Sequence, residues 1–328
     1  MKQIAGSPFA VASLQGNIAH AGTLVFAISG NLSSASTTSL NVFRADTTTG
    51  ALALVKTIPQ PTGPDIPNSV FTDPSQQHLY VSAINDGEKV YGFTVDQSSG
   101  NLTPISGSPF ATNDTIAHGA MYDGRFTADG RLLFGLECPY EGGRFCSIVL
   151  VHMQVDPGTG VLTRPANNWV HDTDYTAYDI AGNYIVSSGR GNYLFVYSFD
   201  SSGTTTQTYS SSSSNTAQDL CAVAAQPTAN RVYIGTYNGT TGQPGSITAY
   251  SLSSGQLAMI NGTTVSTGDP GSPTCSLAFT PSGFLTWPTS NGLEGYMTNS
   301  DGTLSPLAAS PQPSQGRPQT SIHSDTAQ

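Results

Sequence analysis

A few side chains in this sequence could carry acid–base and ligand-orienting chemistry. His118, in "TIAHGAMY", can exchange protons near neutral pH, because histidine ordinarily titrates there. Arg190, in "SGRGN", can polarise an electron-rich group, and Tyr175 and Tyr122 can clamp a flat or apolar ligand. A loop histidine bonded only to backbone is the other interpretation of His118. The set favours a small-molecule catalyst that acts mainly by orientation, with His118, Arg190 and Tyr175 as its catalytic residues.

Further polar residues are predicted to surround these groups and bind substrate. Besides Tyr122, they are Asn68, Glu141, Arg144, Asp174, Thr320 and His323. Acidic residues also recur in the segments before the predicted inner strands, at Asp65, Asp114, Asp172, Asp174, Asp219 and Asp269. Such residues either cap turns by bonding backbone amides or form an acidic rim that binds a cation or a polar ligand.

Four cysteines and five sequons indicate an oxidising compartment. Cys138 and Cys146 bracket a polar "PYEGGRF" loop, where a disulfide across a hairpin is plausible. Cys221 and Cys275 are either bridged between neighbouring inner strands or two buried free thiols. The N-glycosylation sequons begin at Asn31, Asn101, Asn113, Asn238 and Asn261. Because "MKQIAGSPFAVASLQG" has no apolar core of signal-peptide length, either the protein is cytosolic or its signal peptide has been removed. The cysteines and sequons favour the second interpretation, a secreted glycoprotein.

Composition and the missing motifs exclude several classes of function. Charged residues make up 10% of the chain, against about 25% in typical proteins, and the formal net charge is −10. An acidic chain without a basic run is a poor partner for nucleic acid or anionic membrane. No apolar run is long enough to span a membrane. Zinc spacing, a Ca²⁺ loop, a P-loop and a dinucleotide fingerprint are all missing, so we expect no metal and no cofactor.

One turn pattern recurs along the chain and predicts the elements that hold these residues. "RADTTTGALALV" returns as "TVDQSSGNLTPI" and "QVDPGTGVLTRP", with looser copies further on. Asp or Ser can bond the turn backbone, and Gly can adopt the positive φ that other residues avoid. The turn glycines are Gly50, Gly100, Gly160, Gly203, Gly255 and Gly302. Each copy therefore predicts the hairpin between a third strand, C, and a fourth strand, D.

Two further strands, A and B, precede each of these hairpins, as in "SVFTDPSQQHLYVSAI". Four antiparallel strands per roughly 50 residues predict an all-β fold, a β-propeller of four-stranded blades. Six complete repeats can be counted, which leaves six or seven blades, within a single domain spanning residues 1–328. We expect closure by N- and C-terminal strands, with "RPQTSIHSDTAQ" as a further strand A that pairs with Thr23–Ser29. "GSPF" at Gly107–Phe110 is predicted to end a strand D; the copy at Gly6–Phe9 would be an isolated strand D.

The turns, the "SPF" ends and the hairpins resemble the lactonase-like β-propellers, which include 6-phosphogluconolactonases and carboxymuconate cyclases. The resemblance implies a seven-bladed scaffold with a ligand at one mouth of its channel. It also implies a His-x-His and several Arg and Glu residues, of which only His118 is kept. Tyr175 stands where Arg or His is expected, and "VSSGRGN" lacks the Glu. Lactone hydrolysis by the family mechanism is therefore not expected.

In such a propeller, the D–A and B–C segments share the ligand-binding face. Aligned strands A predict one level of channel-lining residues formed by Asn68, Tyr122, Tyr175, Cys221, Cys275 and Thr320. We expect a small organic ligand there and a metal-independent cyclisation, lyase or pericyclic-type reaction. The alternative is a non-catalytic extracellular propeller that binds glycan, protein or an assembly partner.

Overall fold

The structure, a computed structural model, divides into two compact units. The described residues are 14–30, 35–84, 89–112, 121–137, 149–166, 169–171, 175–189, 192–212, 219–226, 229–237, 245–260, 265–266, 277–280, 283–289, 292–308 and 310. The N-terminal unit contains blades 1–3 together with Ser201–Gly203, and the C-terminal unit contains blades 4–6. The prediction of a single domain over residues 1–328 is not tested by this division.

The N-terminal unit contains three antiparallel sheets built from consecutive strands. Blade 1 consists of β1 Leu14–Ala21, β2 Leu24–Ser29, β3 Ser39–Ala45 and β4 Leu52–Pro59, with a 3-10 helix at Ala35–Thr37. Blade 2 consists of β5 Ile66–Thr72, β6 His78–Ile84, β7 Lys89–Val95, β8 Leu102–Pro104 and β9 Phe110–Ala111. Blade 3 consists of β10 Tyr122–Phe126, β11 Leu132–Glu137, β12 Val149–Val155, β13 Leu162–Thr163 and β14 Trp169–His171.

The C-terminal unit contains three sheets of the same kind. Blade 4 consists of β15 Tyr175–Ala181, β16 Tyr184–Gly189, β17 Tyr193–Phe199 and β18 Thr205–Ser212. Blade 5 consists of β19 Asp219–Ala225, β20 Arg231–Tyr237, β21 Ser246–Ser253, β22 Gln256–Met259 and β23 Val265–Ser266. Blade 6 consists of β24 Ala278–Phe279, β25 Phe284–Thr289, β26 Gly292–Thr298 and β27 Leu304–Pro306.

The predicted fold class is confirmed: the fold is a six-bladed β-propeller. Within the described residues, each sheet follows the order A-B-C-D with all neighbouring strands antiparallel. In blades 2, 3 and 5 the outer position is split into two short strands that pair with successive parts of strand C. No helix in the described part of the chain is long and apolar enough to cross a membrane.

The repeated turns form as the sequence predicts. In the first copy, the Asp46 carboxylate accepts hydrogen bonds from the backbone N–H groups of Thr48 and Thr49 at 3.0 and 2.7 Å. Gly50 closes this turn by donating from its N–H to the Asp46 carbonyl at 2.7 Å. All six turn glycines have a positive φ, between 69° and 92°. The same pattern of one acceptor and one glycine sets the hairpins at Asp96–Gly100 and Asp156–Gly160, whereas the blade 5 hairpin turns on Ser254-Gly255.

Packing between neighbouring blades of one unit forms the core. In the N-terminal unit, Phe26 and Ile28 of blade 1 share a buried cluster with Val70 and Val81 of blade 2. In the C-terminal unit, buried residues of blades 5 and 6 form a comparable cluster. Because each sheet contributes apolar side chains to a neighbour, one blade could not bury its faces alone.

The predicted partner of the strand at Thr23–Ser29 is wrong. β2 pairs with β1 on one side and β3 on the other, so both of its edges are occupied. Residues 14–21 form strand A of blade 1. The N-terminal region supplies a strand A because the two-residue Gly22-Thr23 turn brings it back onto β2. The C-terminal segment and the first "GSPF" copy lie outside the described residues.

Two blades of the N-terminal unit resemble two blades of the C-terminal unit in their A–B turns. Blades 2 and 5 share an A–B turn of equal length, "DPSQQHLY" at 73–80 and "QPTANRVY" at 226–233. The final tyrosine has the same contact in both, since the hydroxyls of Tyr80 and Tyr233 donate to the carbonyls of Gly160 and Gly302. Blades 3 and 6 likewise share "FTADG" and "FTPSG". Both matches therefore join blades that lie three apart along the chain.

Candidate functional site

Most of the predicted site residues lie outside the described residues. These are His118, Arg190, Glu141, Arg144, Asp174, Thr320, His323, Cys138, Cys146, Cys275, Asn31, Asn113, Asn238 and Asn261. Tyr122 and Tyr175 are described in their backbone positions at the starts of β10 and β15. Asn68 is half-buried in β5, Cys221 is buried in β19, and Asn101 is exposed. The predicted catalytic roles and disulfides are thus untested.

The single level of inner-strand residues stays a prediction, but the four described members differ in their pairing within their own blades. Asn68 and Cys221 are the extra residues of β-bulges, where no residue of the middle strand lies opposite. Tyr122 and Tyr175 instead pair directly with the middle strands β11 and β16. An extra residue shifts the register of one strand against its neighbour. Alignment of the turns alone could not detect this shift.

On the predicted ligand-binding face, the described residues include a cluster of three polar side chains in blade 2, Asp65, Lys89 and Tyr91. One carboxylate oxygen of Asp65, Oδ2, accepts a hydrogen bond from the Tyr91 hydroxyl at 2.6 Å and lies 3.1 Å from the Lys89 Nζ atom. The Asp65 side chain is 4% exposed, whereas the Lys89 side chain is 31% exposed. A buried carboxylate therefore fixes an ammonium group that still reaches solvent.

Strand direction brings this cluster to one end of blade 2. Asp65 immediately precedes β5, and Lys89 is the first residue of β7. Both strands are antiparallel to β6, so they run in the same direction and begin at the same end of the sheet. The Thr62 hydroxyl donates to the Asp65 carbonyl at 2.6 Å and holds the incoming segment. The cluster lies where the D–A and B–C segments of this blade meet.

The environment of Tyr91 keeps its hydroxyl protonated. Burial raises the pKa of Tyr91, and the hydrogen bond to the Asp65 carboxylate and the charge of that carboxylate raise it further. Tyr91 is thus a hydrogen-bond donor over the whole physiological pH range. The Asp65 carboxylate is held by one neutral donor and one cation, which is the arrangement of a fixed anchor for Lys89.

A second buried pair in blade 2 lies at the opposite end and is structural. His78 Nδ1 lies 3.1 Å from Asp73 Oδ2, and both side chains are 4% exposed. The His78 backbone N–H donates to the other carboxylate oxygen, and Ser75 donates its hydroxyl to Asp73. Burial opposes ionisation of Asp73, but the hydrogen bonds from His78 and Ser75 outweigh it and lower the pKa of Asp73. This pair closes the A–B turn.

Blade 6 contains a further buried polar pair in mid-strand. The Tyr296 hydroxyl donates to the Glu294 carboxylate, and both residues are buried in β26. Burial and this carboxylate raise the pKa of Tyr296. The pair lies within a strand, away from its ends, so it contributes to packing. Among the described residues, no group of three or more His, Cys, Asp or Glu side chains could hold a metal ion.

Lys89 and Tyr91 were missed by sequence reasoning, and Asp65 was noted only as a capping or rim acid. Neither turn capping nor an all-acidic rim describes Asp65, because its carboxylate pairs with a cation and a phenol. The rarity of lysine in this sequence could have drawn attention to Lys89. Lys89 is one of three lysines in 328 residues and begins the predicted strand C "KVYGFTVD".

Comparison with known structures supports the scaffold. A candidate 6-phosphogluconolactonase from Bacteroides uniformis is 17% identical with a TM-score of 0.68, over 89% of this chain and 83% of that one. A second candidate 6-phosphogluconolactonase, from Bacteroides fragilis, is 14% identical with a TM-score of 0.67, over 91% of this chain and 84% of that one. A protein from Lactobacillus plantarum is 14% identical with a TM-score of 0.65, over 91% of this chain and 85% of that one.

The chain has the fold of the lactonase-like β-propellers. At these identities the likeness concerns the fold alone. No protein-family model matches the sequence, and no curated protein matches it either.

Proposed function

We propose that this lactonase-like propeller is a secreted enzyme that binds a small organic molecule where the D–A and B–C segments lie. It converts that molecule by a cyclisation, lyase or pericyclic-type reaction without a metal ion. His118, Arg190 and Tyr175 are its proposed catalytic residues. The Asp65–Lys89–Tyr91 cluster carries the proposal, because it places a fixed, solvent-reaching ammonium at that end of blade 2.

The cluster suits a catalyst that works by orientation. An ammonium fixed by a buried carboxylate loses little further freedom when a ligand oxygen binds to it. Well-oriented intramolecular reactions gain about 7–11 kcal/mol over their free counterparts. Such a gain does not require the hydrolytic residues that the sequence lacks. The likeness to candidate 6-phosphogluconolactonases supports a scaffold on which this chemistry can be placed.

A ligand screen by thermal shift tests the proposal. The native protein is screened against small organic compounds, and hits are repeated on Lys89→Met, His118→Ala and Tyr175→Ala. We expect at least one compound to raise the melting temperature of the native protein and a smaller rise in each variant. Conversion of that compound is then followed by mass spectrometry.

Lys56→Met is the matched control, because Lys56 lies on β4 and contacts Asn101 in a C–D turn. It should leave ligand shifts unchanged. If no compound stabilises the native protein, the proposal fails. Binding without conversion would instead support the non-catalytic binding propeller.

A further inference from the structure

Asn101 lies at an accessible point of the N-terminal unit. It follows Gly100 at the end of the turn between β7 and β8, and its side chain is exposed. The sequon Asn101-Leu102-Thr103 continues into β8, where Thr103 is also exposed. Of the five sequon asparagines, Asn101 alone is among the described residues.

The orientation of the Asn101 amide leaves its nitrogen available. Lys56 donates from its ammonium to the Asn101 side chain, and an ammonium can only donate, so the contacted atom is Oδ1. Within the described part of the chain, Nδ2 makes no hydrogen bond. Nδ2 is the atom that N-glycosylation modifies, so a glycan there would not break the contact with Lys56.

The same contact places Asn101 beside the outer edge of blade 1. Lys56 belongs to β4, the eight-residue outer strand, which among the described strands pairs only with β3. On this strand Leu54 is 58% exposed and Val55 is 37% exposed. A Cβ at Gly100 would lie 3.6 Å from Val55, so the turn that carries Asn101 packs against this strand. A long, apolar, unpaired edge is a template for association with another strand.

The other described outer strands avoid this hazard. Those of blades 2, 3, 5 and 6 are pieces of two to four residues. The outer strand of blade 4, β18, also has eight residues, but its sequence "TTQTYSSS" is rich in hydroxyls. Lys56 is the one charged residue on β4, and its ammonium group is hydrogen-bonded to Asn101. It is therefore turned toward Asn101 and does not project freely from the strand edge. β4 has a bulge at Val55 and ends in Pro59, but its run Leu52–Val55 exposes more apolar side chain than the short or hydroxyl-rich outer strands of the other blades.

We propose that Asn101 is N-glycosylated and that its glycan covers the apolar edge of β4. The donor is a lipid-pyrophosphate-linked oligosaccharide of the secretory pathway. Nδ2 forms a bond to the anomeric carbon of the sugar, the bond from that carbon to the pyrophosphate oxygen breaks, the lipid pyrophosphate leaves, and the amide loses one proton. The inference depends on the proposed secretion and is independent of any catalytic activity.

The first experiment locates the modification. The full chain is secreted from a eukaryotic host behind an added signal peptide, and its peptides are mapped before and after peptide N-glycosidase. We expect a glycan on Asn101 that the glycosidase removes, converting the residue to aspartate. Thr103→Ser keeps the sequon and should keep the glycan, whereas Thr103→Ala should lose it. An unmodified Asn101 in the secreted protein overturns the inference.

The second experiment tests whether the Asn101 glycan prevents self-association through the edge of β4. Light scattering should show larger species for Thr103→Ala than for the matched Thr103→Ser protein. Adding Leu54→Thr and Val55→Thr to Thr103→Ala should restore the smaller species. If Thr103→Ala does not self-associate, the covering role is wrong even if Asn101 is modified. A ligand screen on the same preparations separates this outcome from failure of the proposed enzyme, because the proposed ligand site does not include β4.

Discussion

At the scale of single residues, the contact between Tyr91 and Asp65 is open to a direct test. Tyr91→Phe removes the hydroxyl that donates to a buried carboxylate at 2.6 Å. We expect a loss of about 1.5–3 kcal/mol in the free energy of unfolding, since hydrogen bonds to charged groups are worth that much. Urea unfolding measures the loss. Tyr193→Phe is the control, because Tyr193 is 45% exposed, and an equal effect of both changes would contradict the prediction.

Gly160 is constrained both by its positive φ and by a close contact with His78, and comparison with Gly63 separates the two effects. Its φ is +72°, and a Cβ there would lie 2.6 Å from the His78 ring. Gly63 has a similar φ of +61°, but nothing lies within 4 Å of its Cβ position. Gly63→Ala should cost about 1 kcal/mol from backbone strain alone.

Gly160→Ala should cost about 1–3 kcal/mol more than Gly63→Ala, because the added methyl overpacks the contact with blade 2. Differential scanning calorimetry of both variants checks this ordering. Equal losses would show that the His78 ring moves aside at no cost.

At the scale of the hairpin, the turn aspartates make stability depend on acid. Hydrogen bonds from backbone and hydroxyl groups lower the pKa values of Asp46, Asp156 and Asp301, and side-chain hydrogen bonds from Ser99 and Ser98 lower that of Asp96 most strongly. A lowered pKa in the folded state contributes stability above the ordinary value of 3.8, and this is lost as the pH falls through the folded value.

The melting temperature should therefore be nearly constant from pH 7 to about 5 and should fall below about pH 4. Asp96→Asn should lower the melting temperature at pH 7, and its difference from the native protein should shrink as the pH drops below about 4. Melting curves at half-unit steps of pH test this. A difference that stays constant down to pH 2 would argue against the carboxylate.

The strand D return in blade 2 depends on the serine of "GSPF". The Ser108 hydroxyl accepts a hydrogen bond from the backbone N–H of Gly92 at 2.9 Å, and Ser310 does the same for Gly295 in blade 6 at 3.0 Å. Ser108→Ala should leave the Gly92 N–H without a partner and cost about 1–3 kcal/mol.

Amide hydrogen exchange should show faster exchange at Gly92 in Ser108→Ala and unchanged exchange at Gly295. Ser310→Ala should give the reverse result. If both amides respond to either change, the effect is global unfolding and the local assignment is wrong.

At the scale of the whole molecule, charge sets the solution behaviour. The chain has a net charge of −10 and an isoelectric point of about 4.7. Solubility should be lowest near that pH, because repulsion between copies vanishes when the net charge does. Turbidity from pH 3 to 8 should therefore peak near 4.7 and be low at 7. A maximum above pH 6 would contradict this.

Much of the fold could be predicted because its signals are local. An aspartate and a glycine four residues apart define the turn at Asp46 and Gly50, and the same spacing recurs at Asp96–Gly100 and Asp156–Gly160. Alternating apolar residues between the turns then predict antiparallel strands and, by repetition, the propeller. The candidate site was harder to predict from the sequence, because Asp65 contacts Lys89 and Tyr91, which lie 24 and 26 residues away along the chain.

The sequence by itself determined the repeating blade, the class of the fold and the acidic, lysine-poor surface, because all three follow from local residue order and composition. Tertiary structure alone decided which strand completes blade 1, which inner-strand residues are bulged, and how Lys89 is held. β2 takes β1 as its partner, and Asn68 is the extra residue of a bulge in β5. These outcomes depend on pairing and burial between distant segments, which a pattern of residue types does not specify.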